Sequence, residues 1–491
     1  MNHILKKSLL LILLLTISVR LYHITFPIAG WHSWRQSDTA AIARNFFTEE
    51  NNILYPRIDW RGSTPGYVET EFQIYTFTVA TAYTLFGENE VFGRLFSVFC
   101  AAGTVFGIYL LVKKIIDETV AKWSAFFYAV LPLNIYYGRA FMPEQLMLMC
   151  SVWGVLLFDR WIDAPSNLKL FFGSLCAITL ATLIKLPALY LGLPLLFLCW
   201  NKYGSGFVRQ PTIWMYAAGV LLPTGAWYYH AHQLKAATGL TFGIWEMGTD
   251  KWGNTELLTT VKFYNDVFFK NIAERHFTYA AFIPFIVGLF ITHTHTHTHT
   301  HKERLFDFWL IAVVIYILIV ARGNQVHEYY QLPLMIPGVV FLGKSFAAFV
   351  PKESPLNRRK KILRYAFLFL LAGTLMLSFL RVEKVFNGEQ IESTMFQLAE
   401  SVKAKTPNES LIITVSEGNP VLLYNCCRKG WTCSPGTLNE DYLNERRSDN
   451  AKYIVAEKEV FVRNHQEQLM QKLLMSNTVV DDTDGYFIIA L

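Results

Sequence analysis

Apolar residues fill long blocks of this chain, separated by short turns where charge and proline collect. A block of about 20 mostly apolar residues matches the roughly 30 Å hydrocarbon core of a bilayer. About eleven blocks qualify, near residues 8–26, 91–112, 119–137, 142–161, 170–184, 187–200, 212–228, 277–291, 305–321, 332–350 and 365–381. Three stretches break the rhythm: a loop of roughly 27–90, a second of roughly 229–276, and a tail from about 382. In the first loop, Trp34 to Phe46 carries a helical stripe of Ala41, Ile42, Asn45 and Phe46 beside Asp38. Phe72 to Phe86 is too short and polar for a span and reads as an interfacial helix. The tail alternates a helix (Met395–Lys405), strands at Leu411–Val415 and Lys452–Ala456, a helix (Val460–Leu474) and a last strand at Tyr486–Leu491, the pattern of a small α/β domain.

Composition agrees with a polytopic α-helical membrane protein: 53% of residues are hydrophobic, only 17% are charged and the mean hydropathy is +0.27. Orientation follows from Lys and Arg, which short cytoplasmic loops retain. With the N-terminus inside, the inner turns hold Lys6 and Lys7, Lys113 and Lys114, Lys169, Lys202 and Arg209, Lys302 and Arg304, and the dense run from Lys352 to Arg364. An odd number of spans then puts the tail outside. The first apolar run lacks a small-residue cleavage site and reads as a retained anchor. The expected organisation is a transmembrane domain over 1–381 and an extracytoplasmic α/β domain over 382–491, in the plasma (inner) membrane. The net charge of +6 resides largely in the inner loops and gives no reason to invoke nucleic acid.

Two other features bear on chemistry. The His-Thr repeat of residues 292–301 falls in an inner turn and reads as a tolerated expansion rather than a metal site. Cys100, Cys150, Cys176 and Cys199 fall in spans as small hydrophobes, whereas Cys426, Cys427 and Cys433 lie in the tail, where one bridge to Cys433 is expected in an oxidising compartment. No zinc-like spacing and no Gly-rich phosphate loop occurs, so neither a metal nor a cofactor is assigned.

Ionisable groups near spans are costly, at about 2.5 to 3.5 kcal/mol on insertion scales, and usually face a cavity or an interface. Glu144 follows Pro143 at an outer turn, where a helix N-terminus favours an acid, and Arg139 lies just before it. Lys185 sits in Ile184-Lys185-Leu186-Pro187, and a third turn runs from Arg322 to Pro333 with His327, Glu328, Tyr329 and Tyr330. Each alone reads as an interface anchor. Together with Asp38 and Glu69, however, Glu144, Lys185, His327 and Tyr330 all reach the same outer level under one topology, which indicates a site acting on a lipid-borne substrate.

These residues carry a family resemblance. Trp34-Arg35-Gln36-Ser37-Asp38-Thr39-Ala40, Val68-Glu69-Thr70-Glu71, Phe92-Gly93-Arg94-Leu95, Arg139 to Glu144, Ile184 to Pro187 and His327 to Pro333 together resemble the GT-C glycosyltransferases, nearest the group of protein O-mannosyltransferases and lipid A aminoarabinose transferases. The resemblance covers about residues 5–350. It implies a sugar donor on polyprenyl phosphate, and a lipid, glycan or protein acceptor. It also implies Asp38, Glu69 and Glu144 as catalytic acids, with Lys185, Arg139, His327 and Tyr330 on the donor phosphate. Many members carry Asp-Glu where this chain has Asp38-Thr39, and some carry a base where it has Thr70. A single displacement by an acceptor hydroxyl implies inversion at the anomeric carbon. The competing classes are a lipid-linked sugar transporter or flippase, disfavoured by the missing internal repeat, and a scaffold whose tail binds partners.

Overall fold

The computed structural model describes residues 2–243, 251–291, 301–350, 357–387 and 393–491. It is mostly helical, and its contacts form two compact units. One comprises residues 1–24, 94–229 and 245–384; the other comprises 25–93, 230–244 and 385–491. The second unit thus takes in the tail from residue 385 together with the first loop and residues 230–244. The His-Thr repeat up to residue 300 lies outside the described residues.

Helix falls within each expected span: Asn2–Leu21, Val91–Ile115, Glu118–Val130 with Pro132–Tyr137, Glu144–Asp163, Leu168–Ile184, Leu186–Leu191 with Gly192–Tyr203, Pro211–Thr238, Phe282–Leu289, Leu305–Ile319, Glu328–Leu334 with Met335–Phe349, and Arg358–Asn387, although over 277–291 it is confined to the eight residues 282–289. Among the described residues, four helices (Val91–Ile115, Glu144–Asp163, Glu328–Phe349 and Arg358–Phe386) are long and apolar enough to cross a membrane on length and composition alone. Several of the others are cut short by proline. Pro132 follows the extended Leu131, because a proline ring disfavours helical geometry in the residue before it, and Pro187 sits in the first turn of the Leu186–Leu191 segment that opens after the extended Lys185. Close helix approach relies on glycine. A side chain at Gly343 would meet Ser124 Oγ at 2.4 Å, and one at Gly288 would meet the Phe341 carbonyl.

The second unit centres on a five-stranded sheet: β1 (Leu411–Val415), β2 (Lys429–Cys433), β3 (Ala451–Glu457), β4 (Thr478–Asp482) and β5 (Tyr486–Ala490), in the order β2-β1-β3-β5-β4. β2, β1 and β3 run parallel, and β5 and β4 add antiparallel. Alternate residues of the buried strands feed two cores. Ile413, Ile454, Phe461 and Ile489 pack on one face; Leu398, Ile412, Leu423, Val455 and Ile488 pack on the other. The expected helix over 460–474 is two helices, Lys458–Arg463 and Glu467–Ser476, because His465 turns into the left-handed region. The expected cysteine bridge is absent. All three tail cysteines are free, and Cys433 and Cys426 belong to the cores on opposite faces of the sheet.

The first loop folds onto this unit as two helices, Ser33–Thr48 and Ile74–Phe86, around a small core of Ile42, Phe46, Ile58, Val68 and Ala80. The apolar stripe read from sequence is that buried face. The second helix was expected as an interfacial element, and it is indeed helical.

Candidate functional site

In the second unit Asp38 lies in the second turn of the 33–48 helix, 2% exposed. Its Oδ1 accepts a hydrogen bond from Trp60 Nε1 at 2.9 Å. Burial pushes the carboxyl up to about 7, against the Trp60 bond and the Arg35 charge, which favour the anion. Arg35, one turn earlier, pairs with Glu71 and lies 5.1 Å over the Phe242 ring. A second buried charge cluster, unremarked in the sequence, lies on the same helix and loop. Asp59 receives Arg44 Nη2 and Lys429 Nζ, each at 2.5 Å, and Asn45 Nδ2 at 3.0 Å. The two cations hold the Asp59 carboxyl far below the usual carboxylate range despite its burial. Arg44 also stacks on Tyr424 at 4.4 Å. The signal for this cluster was a charge, Arg44, inside an apolar helical stripe, but its partners are supplied only by folding.

Glu69 has a different environment from Asp38. It is wholly buried, and its carboxylate accepts from Thr241 Oγ1 and contacts His232 Nδ1 at 3.2 Å. Its backbone N–H donates to Leu240 O and its carbonyl accepts from Phe242 N, each at 3.0 Å. Glu69 therefore ties the 238–243 segment to the first loop. The neighbouring Glu71, with Arg35, is the acid that shares a cation with Asp38.

In the first unit Glu144 and Lys185 come together, with Lys185 Nζ 3.0 Å from Glu144 Oε1. Glu144 opens its helix directly after Pro143, as expected, and is 2% exposed. Lys185 follows the last residue of the 168–184 helix in extended conformation, its side chain about one-fifth exposed. Neither Glu144 oxygen accepts a hydrogen bond among the described residues, so the ammonium is its stabilising partner. The Tyr316 hydroxyl donates to the Tyr330 carbonyl at 3.0 Å. Tyr330 packs on Gly323, where a side chain would come within 2.8 Å of the ring. His327 lies 5.5 Å from the Tyr330 ring and 5.3 Å from the Tyr329 ring. Glu144, Lys185, His327 and Tyr330 thus share one unit.

Glu328, which sequence alone left without a role, anchors this turn. Tyr137 donates its hydroxyl to Glu328 Oε1 at 2.6 Å, and Arg275 approaches Oε2 at 3.8 Å. His276, held neutral because burial lowers its pKa to about 4, donates Nε2–H to the Glu328 carbonyl at 3.0 Å. Arg275 and His276 end the Asn265–His276 segment, a π-helix, whose wider turn brings both residues to Glu328.

Arg139, expected on phosphate, lies at the end of the first helix. It is fully buried, and its Nη1 donates to the Tyr22 carbonyl at 2.5 Å. Arg94 similarly donates to Ile24 O at 3.0 Å, and Arg20 donates to the Ala129 and Asn134 carbonyls at 3.1 and 2.9 Å. Three buried guanidiniums thereby secure the end of the first helix.

Residues 74–230 match the family described as dolichyl-phosphate-mannose-protein mannosyltransferase, a segment holding Arg139, Glu144 and Lys185. No curated protein matches the chain. Among solved structures, the chain is similar to the ArnT of Cupriavidus metallidurans bound to undecaprenyl phosphate, at 13% identity and a TM-score of 0.66, covering 98% of this chain and 97% of that one. It is also similar to the archaeal oligosaccharyltransferase AglB from Archaeoglobus fulgidus, in complex with an inhibitory peptide and a dolichol-phosphate, at 11% identity and a TM-score of 0.62, covering 93% and 70%. At such identities the likeness is one of fold. With the matched segment, it supports the resemblance to GT-C, mannosyltransferase-like glycosyltransferases.

Proposed function

Starting from a GT-C fold with a mannosyltransferase-family segment, we propose that this chain transfers a sugar from a polyprenyl-phosphate donor to an acceptor on the extracytoplasmic side of the plasma membrane. The positive inner turns support that sidedness. The observation that carries the proposal is Asp38: a buried carboxyl with one oxygen held by an indole N–H and a proton affinity poised near neutrality. That is the condition in which a general base works best at physiological pH. The neighbours' lipid phosphates, undecaprenyl phosphate in ArnT and dolichol-phosphate in AglB, support the donor class.

In this reading Asp38 takes the proton of an acceptor hydroxyl, whose oxygen attacks the anomeric carbon. The bond from that carbon to the phosphate oxygen breaks, and its electron pair leaves with polyprenyl phosphate. Lys185 neutralises the charge arriving on phosphate, Glu144 fixes the ammonium, and His327 and Tyr330 bind the phosphate or the sugar. Arg139 and Glu69, both occupied within the fold, have holding roles. The displacement inverts the anomeric centre; a product retaining the donor's configuration refutes this step.

The test is incubation of purified protein in lipid nanodiscs with polyprenyl-phosphate sugars and candidate hydroxyl acceptors. Release of polyprenyl phosphate by the wild type, abolished in Asp38→Asn at normal expression, supports the proposal. Movement of intact donor across vesicles without its cleavage instead supports a flippase. Turnover surviving Asp38→Asn assigns the base elsewhere or points to an acceptor already ionised, such as a phosphate.

A further inference from the structure

The tail sheet meets the first loop along residues 59–62. Gly430 of β2 donates its N–H to the Asp59 carbonyl at 3.1 Å, and its own carbonyl accepts from Gly62 N at 2.8 Å. Those two bonds bracket Trp60. Both glycines are required by the contact. Gly62 has φ +58 and a side chain there would strike the Trp431 indole at 2.6 Å, while one at Gly430 would overlap the Ile412 carbonyl. β2 is an edge strand, so the loop also covers backbone groups that would otherwise be unpaired. Beside this clip Lys429 and Arg44 close on Asp59, one residue before Trp60. Trp60 in turn donates to Asp38 Oδ1. The chain of contacts runs from sheet to salt bridge to indole to acid.

We propose that the C-terminal sheet is a positioning element for Asp38: Lys429, with Arg44, neutralises Asp59 so that the 59–62 loop stays clipped to β2 and Trp60 is held on Asp38 Oδ1. The inference rests on the reading of Asp38 as the base, and it gives the tail a task in the reaction. Trp60 and Lys429 are positioning residues, acting through Asp38. The charged groups that bear directly on Asp38 are Arg35, on its own helix, and Asp59, on the loop. Losing the indole bond destabilises the carboxylate form, so the acid should protonate at higher pH. Loss of a charge-assisted hydrogen bond of this kind corresponds to an upward move of about one to two pH units.

The experiment follows the protonation of Asp38 without relying on turnover. Dicyclohexylcarbodiimide, which attacks protonated carboxyls in apolar surroundings, is applied to the full-length protein in nanodiscs across pH, and Asp38 labelling is read by peptide mass spectrometry. The midpoint should rise by about one pH unit or more in Trp60→Phe. It should rise less in Lys429→Met, and return to wild type in Lys429→Arg. In the Trp60→Phe background Lys429→Met should add less than it does alone, because once the indole is gone only the direct field of the less neutralised Asp59 remains. An unmoved midpoint in Trp60→Phe overturns the proposal, as does a Lys429→Met effect that persists undiminished without the indole. If the midpoints move as expected while Asp38→Asn keeps full turnover, the positioning stands and the assignment of Asp38 as base falls.

Discussion

Asp38→Asn should make the protein more stable while it stops turnover, and the gain should depend on pH. The folded chain keeps a proton on Asp38 up to about pH 7, whereas the unfolded chain releases it near pH 4. Between those values the folded state binds more protons, so stability falls as pH rises, and above about pH 7 the full cost of burying the anion is present. A carboxyl lifted from its ordinary value to about 7 carries a cost of about 4 kcal/mol in the ionised form. Asparagine avoids the buried charge, and its Oδ1 still accepts from Trp60. It forfeits the attraction to Arg35, so a net gain of about 1 to 3 kcal/mol is expected at pH 8. That corresponds to a rise in melting temperature of several degrees, at about 2–4 °C per kcal/mol for a unit of this size. The assay is thermal unfolding of wild type and variant in detergent from pH 4.5 to 8.5, reporting on the second unit through mass-spectrometric labelling of the buried Cys426 and Cys433 thiols. The two melting temperatures should nearly coincide at pH 4.5 and diverge up to about pH 7. A gap that is constant with pH, or a variant less stable at pH 8, refutes the claim that Asp38 is a strained buried acid.

Four further outcomes are expected. Wild-type turnover should rise with pH through an acidic limb near 7, since the base must be ionised; a rate flat from pH 5 to 8 contradicts the assignment. Lys185→Met leaves the Glu144 carboxylate buried without its cation and should cost about 3 to 5 kcal/mol, while the Glu144→Gln/Lys185→Met double variant recovers most of it, so that additive losses in a thermal double-mutant cycle would disprove the pairing. Asp59→Ala strands two cations, one of them the buried Arg44, and should destabilise the second unit by a similar ~3 to 5 kcal/mol, seen as faster labelling of Cys426 and Cys433 with no change at Cys150. Glu69→Gln should lower the melting temperature but preserve turnover per folded molecule, because its partners Thr241 and His232 belong to the fold; a loss as complete as that of Asp38→Asn would restore it as a catalytic acid.

The helical segments were legible because each carries its own signal: apolar runs of membrane length, bounded by charged turns or by a proline such as Pro187, need no distant partner to be recognised. Glu144 after Pro143 and the stripe beside Asp38 were readable for the same reason, since helix starts and faces are set by neighbours three or four residues away. The strands β2 and β4 escaped notice because both are short, polar and at the sheet's edges, where alternation is weakest. What only the tertiary structure decided is which charges meet. Sequence grouped Asp38, Glu69, Arg139 and Lys185 as one class of ionisable residue near the outer level. Folding gave Arg139 to the Tyr22 carbonyl and Glu69 to Thr241 and His232, paired Lys185 with Glu144, and buried Asp38 against the Trp60 indole. The Asp59 cluster joins residues 44, 59 and 429, and hydropathy contains nothing about contacts at that separation. Local periodicity therefore specifies elements and their buried faces, whereas the protonation and role of an acid depend on the solvent exclusion and partners that long-range packing supplies.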